Sequence, residues 1–154
     1  MSIFLEIAFH YAVTDAALGA DEQAAFQAND DAAFDRAVKS RQRNDQAYFL
    51  YLFTRFEAEV NAGVETLLTA RTISSAAWTE RRVWQAWSRS PVSEISFLSK
   101  VEVLTDKART DFAKAKDYYY GRNTIAHGGD WDARFFVPKV ARAMHDIVAR
   151  FEKT

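Results

Sequence analysis

DQAYFLYLFTRFEAEVNAGVETLL, residues 45–68, decides the fold class. Phe49, Leu52, Phe53, Phe56, Val60, Val64, Leu67 and Leu68 recur at steps of mostly three and four residues, the wide apolar stripe of a helix packed on one side. Asn44-Asp45 stands ahead of the stripe as an N-terminal signal. The spacing predicts a helix from there to about Thr72.

The flanks are helical in character too. Upstream, residues 21–28 and 30–38 are alanine-rich and open on acids, which are good N-caps ahead of the strongest helix former. Downstream, a short helix is predicted after Ser74-Ser75, carrying Val83, Trp84 and Trp87 on one side. Ser90-Pro91 reads as a cap with proline in the first turn. The helix it opens carries Ile95, Leu98, Val101 and Leu104 and stops around Thr105-Asp106.

From Asp106 another helix passes through Phe112, Ala115 and Tyr119 towards His127, where Gly128-Gly129 supplies a stop. Asp130 or Asp132 is placed to cap the final helix. That helix carries Val140, Met144, Ile147, Val148 and Phe151, with Pro138 tolerable only near its start. No segment alternates with a two-residue period between turn signals. The expected fold is all-α, a bundle of about five to six helices forming a single domain over residues 1–154.

Bulk composition bounds the function. At 154 residues, 49% hydrophobic and 27% charged, the chain has the balance and length of a globular domain with a sizeable core. It has no cysteine, which removes disulfides, thiolate nucleophiles and cysteine-held zinc or iron–sulfur centres. Ile3-Phe4-Leu5 is cut short by Glu6 with no basic residue ahead, unlike a targeting signal. The longest apolar run, residues 47–53, is too short to span a bilayer. No membrane association and a cytoplasmic location are the expectations.

Charge is uneven. Glu6, Asp15, Asp21, Glu22, Asp30, Asp31 and Asp35 precede the first basic residue, leaving 20 Lys and Arg against the other acids of a chain whose net charge is −1. The body of the chain therefore suits a polyanion, with the acidic arm facing elsewhere; an ordinary solvated surface accounts for the charge equally well.

Residues 118–131, YYYGRNTIAHGGDW, concentrate the chemistry. Asn123 and His127 are four apart and share a helix face. Arg122 sits roughly 140° around the axis from His127, long enough to reach the same opening though not forced to. Such a trio suits RNA cleavage without a metal or other cofactor. Histidine can give or take a proton near neutrality, arginine is a forked permanent cation matched to phosphoryl oxygens, and asparagine can orient the imidazole or hold a backbone oxygen. One chain offers one such histidine for two proton transfers, and a two-fold dimer would bring a second.

Arg122-Asn123-Thr124-Ile125-Ala126-His127 resembles the HEPN domain motif, an Arg, a polar residue that is usually Asn, and a His four to six residues after the Arg. Ala126 and Gly128 are also similar to many members. The resemblance implies an all-α fold and a metal-independent endoribonuclease that dimerises into a composite cleft. It implies as catalytic residues Arg122, Asn123 and His127. Such domains occur in toxin–antitoxin pairs, abortive-infection systems and RNA-guided defence, so RNA, a second copy, and an antitoxin or nucleotidyltransferase are the implied partners. One toxin group carries a tyrosine two residues after the histidine, where the nucleotidyltransferase acts; here that position is Gly129. Some members keep the motif without nuclease activity.

Blander readings compete at each residue. Arg122 can pair with an acid such as Glu57 or Glu59, Asn123 can cap a turn, and His127 can merely end a helix. Tyr118, Tyr119 and Tyr120 are candidate stacking platforms for bases, yet three in a row point in different directions, so at least one belongs to the core. Trp84 and Trp87 fit a core or dimer interface better than a nucleotide platform. His145 reads as a packed histidine, and Asp130-x-Asp132 lacks further metal ligands with suitable spacing. Beside the nuclease stand two alternatives: a catalytically inactive helical module binding a nucleotide, RNA or a partner protein, and a structural dimer joined through its tryptophans.

Overall fold

The computed structural model describes residues 2–73, 77–107, 109–129 and 135–151. The fold is an all-α helical bundle. Among the described residues it has α1 (Ile3–Gln27), α2 (Asp31–Ile73), α3 (Trp78–Trp87), a 3-10 turn (Val92–Glu94), α4 (Phe97–Leu104), α5 (Thr110–Ala126) and α6 (Val137–Ala149), and no strand. The chain divides into two compact units. The first holds residues 1–55 and 120–145, the second residues 56–119 and 146–154.

The long apolar stripe is helical, as its spacing predicts, but α2 begins at Asp31, well before Asn44-Asp45, and runs 43 residues. Asp45 caps nothing because it lies inside this helix, and its carboxylate serves a tertiary bond instead: the Tyr11 hydroxyl donates to Asp45 Oδ1 at 2.7 Å. The N-cap expected at Asp21 is also absent, since α1 runs through it, continuous for 25 residues. The corner lies instead at residues 28–30. Asn29 takes a left-handed conformation (φ 51°), and Asn29 N–H and Asp30 N–H donate back to the carbonyls of Phe26 and Ala25, closing α1 with a Schellman turn. Asp30 Oδ1 then accepts from Ala33 N–H at 2.9 Å, capping α2.

In the first unit, Arg41 on α2 gathers the acidic arm. Its guanidinium donates to both Asp15 carboxylate oxygens (3.0 and 3.1 Å) and to Glu22 Oε2 (2.8 Å). Two of the early acids thus fold back onto α2 rather than facing away. Phe4, Ile7, Tyr11, Phe49, Leu52, Phe53, Val137, Val140, Ala141 and Met144 are buried here. By length and composition α1 meets the requirements of a membrane-crossing helix, its most apolar window averaging a hydropathy of 1.3; counting consecutive apolar residues hides this, because Glu6 and Asp15 interrupt the run. Phe9, Ala12, Val13, Ala16, Ala17, Ala20 and Ala24 are exposed along one side of α1.

Burial, then the bond to Asp45 and the nearby carboxylate charge, hold the Tyr11 phenol well above its ordinary pKa. Burial also raises Asp45, opposed by the bond it accepts from Tyr11. The unfolded chain would ionise this tyrosine near pH ~10 while the folded chain would not. Its contribution is therefore complete below that pH and lost as pH rises beyond it. Thermal melts should show Tm falling above pH ~10, and Tyr11→Phe should flatten that fall. Tyr118, also raised by burial, keeps part of the slope.

In the second unit Phe56, Val60, Val64, Leu67, Leu68, Phe97, Val101, Leu104, Ala115, Ile147 and Phe151 are buried. Phe97 meets Phe56 edge-on at 6.0 Å and stacks on Tyr119 at 5.3 Å. Ser96, rather than Ser90, caps α4, accepting from Ser99 N–H at 3.2 Å. Pro91 instead precedes the 3-10 turn, so the expected single helix is a turn followed by a helix. Lys100, 3% exposed, is satisfied by Asn61 Oδ1 at 2.7 Å and the Val92 carbonyl at 3.3 Å. Arg150 binds both oxygens of Asp111 (2.8 and 2.9 Å). No residue of α3 is buried, and its Trp84 and Trp87 are half-exposed partners of each other. The caps expected at Ser74-Ser75, Asp130 and Asp132 fall outside the described residues.

Candidate functional site

The motif lies at the end of α5, and the sequence ends that helix in a specific way. Gly128 adopts φ +79°. Its N–H donates to the Ile125 carbonyl at 3.0 Å, and Gly129 N–H to the Thr124 carbonyl at 2.8 Å. This is the Schellman pattern, with glycine where a side chain would be strained. His127 is the last residue before the chain turns away, its own N–H held by the Asn123 carbonyl at 3.0 Å. The predicted Gly-Gly stop is present; α5 starts at Thr110 rather than Asp106.

Packing decides which side of α5 faces out. A Cβ on Gly121 would stand 2.4 Å from the Phe135 ring, so that ring lies directly on the helix backbone. Phe135 in turn stacks on Phe49 of α2 with centroids 5.1 Å apart. At about 100° per residue, Gly121 and Ile125 share this inner side. Tyr120, Asn123 and His127 then fall together on the other side, within roughly 60° of one another. Tyr120 is 51% exposed, His127 is exposed and Asn123 is half-buried.

Arg122 reaches round towards this outer face. Its Nη1 donates to Asn123 Oδ1 at 3.0 Å. Asn123 therefore orients the guanidinium rather than the imidazole. Among the described residues of its own unit, no carboxylate pairs with Arg122 and no side chain bonds His127. The structure brings together Arg122 and Asn123 by contact, and Tyr120 and His127 by helical register.

Tyr118 and Tyr119 have a different place. Both belong to the second unit, where Tyr118 is buried and Tyr119 stacks on Phe97. Tyr120 is thus the tyrosine presented to solvent. His145 is half-buried on α6.

A feature that no single segment reveals lies across the inner side of α5. Lys39, Gln42, Arg43 and Gln46 of α2 face Ile125, Gly128 and Gly129 around a groove of about 400 Å³. Lys39 and Arg43 are one turn apart and exposed. Their i, i+4 spacing is a visible signal, but residues 39–46 carry no apolar stripe of their own and read as the gap between two helices. Among the described residues, His, Asp and Glu form no group of three that could hold a metal ion.

The chain shows no significant match to any family model, curated protein or solved structure.

Proposed function

We propose that this protein is an HEPN-like, metal-independent endoribonuclease of the cytoplasm, acting as a homodimer in defence or as a toxin. The observation that carries the proposal is the Arg122 Nη1 to Asn123 Oδ1 bond of 3.0 Å. It turns a forked cation towards the helix side that Asn123 shares with His127.

In the proposed reaction, a ribose 2′-oxygen forms a bond to the adjacent phosphorus and the P–O5′ bond breaks. One imidazole takes the 2′-hydroxyl proton, and a second acid protonates the departing 5′-oxygen. Arg122 stabilises the charge gathering on the non-bridging oxygens, where a fixed cation acts without reorganisation. Asn123 holds that guanidinium in place. Tyr120, exposed two turns before His127, is the platform on which a flanking base would stack.

A second copy of the chain supplies the second His127. The exposed apolar side of α1 supports self-association. Phe9 and Val13 are its large residues, and Ala16, Ala17, Ala20 and Ala24 complete the stripe. Antiparallel pairing about Ala16-Ala17 sets the large end of one stripe against the small end of the other, with no acid facing an acid. An antitoxin or a modifying nucleotidyltransferase remains a proposed partner by the HEPN resemblance alone.

The test is cleavage of a mixed-sequence RNA in EDTA by the purified full chain. Wild type should cut, Arg122→Ala should lose activity by about 10²-fold or more, and Arg122→Lys should recover only part, since lysine keeps charge without the fork. Intact RNA with wild type, or undiminished cutting by Arg122→Ala, would refute the proposal. One observation favours a second reading, a non-cleaving module that binds a nucleotide, RNA or a partner protein: among the described residues no side chain orients the His127 ring.

A further inference from the structure

α2 carries three basic residues within one and a half turns, and the structure treats them differently. Arg41 is consumed by Asp15 and Glu22. Lys39 and Arg43, two residues to either side, project on another face of the helix and have no carboxylate partner among the described residues. They lie about 6 Å apart along the axis and line the groove of about 400 Å³ closed by Ile125, Gly128 and Gly129.

We infer that this groove binds the phosphate backbone of single-stranded RNA. Its volume of about 400 Å³ leaves room for a nucleotide-scale ligand. Gly128 puts no side chain into it, and a Cβ added there would meet nothing within 4 Å, so a ligand can lie directly against the turn. The N–H groups of Gly128 and Gly129 are already spent on the helix end. Anion recognition therefore falls to Lys39 and Arg43, with the Gln42 and Gln46 amides able to give and accept hydrogen bonds at sugars or bases.

An acidic peptide is the rival ligand. Stable peptide docking draws on apolar anchors in pockets, and among the described residues Ile125 is the single apolar one lining this groove. A ligand with charge at every repeat and little need of apolar contact fits better. The choice of RNA rests on the endoribonuclease reading, whereas binding in the groove does not require cleavage.

The experiment is fluorescence anisotropy with a fluorescein-labelled twelve-nucleotide poly-U RNA and full-length His127→Ala protein, titrated across 50 to 200 mM salt. Adding Lys39→Glu/Arg43→Glu should weaken binding at least tenfold. It should also flatten the log–log salt slope by roughly 1.4, two contacts at ~0.7 each for a single strand. A charge-matched Lys139→Glu/Arg142→Glu change, at exposed positions on α6, should leave the slope in place. Lys39→Gln/Arg43→Gln, with helicity checked by circular dichroism, covers the case in which the glutamates disturb folding. Absence of RNA binding, equal loss from both charge-matched changes, or equally effective competition by a poly-Glu peptide of the same charge would overturn the inference. Groove-dependent binding by a wild type that does not cut keeps the groove and removes the nuclease; cutting with KM indifferent to Lys39 and Arg43 does the reverse.

Discussion

Phe49→Ala should lower the unfolding free energy of the chain by about 3–5 kcal/mol. The ring is fully buried and stacks on Phe135 at 5.1 Å, while Phe135 lies against the backbone at Gly121. Deleting the Phe49 ring removes its transfer energy and leaves a void that a neighbouring aromatic cannot fill without leaving α5. A change of shape alone costs less: Phe49→Leu is expected at about 1.5 kcal/mol or below. Urea titration monitored by helicity measures both. A Phe49→Ala cost under about 1 kcal/mol would mean that this aromatic column does not hold α5 in place.

The helical nature of this column was legible, since Phe49, Phe53 and Phe56 fall on the stripe that predicts α2. Its start was not. Residues 31–45 are mostly polar, so periodicity fades there, and Asn44-Asp45 imitates a cap while Asp45 is reserved for a tertiary bond from Tyr11. Local sequence cannot announce a partner 34 positions away. The true corner depends on Asn29 in the left-handed region, a conformation asparagine tolerates but does not advertise. Glycine misleads in the same way. Gly19, Gly63 and Gly121 lie inside helices rather than at their ends; Gly63 and Gly121 are there because Leu104, Phe151 and Phe135 press on the backbone.

The site was readable to a different degree. Register alone put Asn123 and His127 on one face, and Gly128-Gly129 announced the stop. Whether Arg122 turned towards that face depended on a rotamer, which no spacing fixes. The roles of the three tyrosines came from packing: Phe97 stacks on Tyr119, Tyr118 is buried, and Tyr120 is 51% exposed. The groove was invisible because it joins residues 39–46 to residues 125–129, two segments with no shared local signal.

His127→Ala should reduce RNA cleavage by about 10²–10⁴-fold, the usual weight of a positioned acid–base group. The side chain is exposed at a helix end, so the same change should alter stability by no more than about 0.5 kcal/mol. That separation matters, because a loss of activity through unfolding would move both quantities. His145→Ala, half-buried on α6, is the opposite control, expected to affect packing and leave the chemistry in place.

The most direct measurement is the chemistry of the ends produced when wild-type protein meets RNA in EDTA. Attack by the 2′-hydroxyl leaves a 2′,3′-cyclic phosphate on one fragment and a free 5′-hydroxyl on the other. The proposed mechanism predicts those ends from wild type and their disappearance in His127→Ala. Fragments bearing 5′-phosphates, or cyclic phosphates formed equally by His127→Ala, would contradict it.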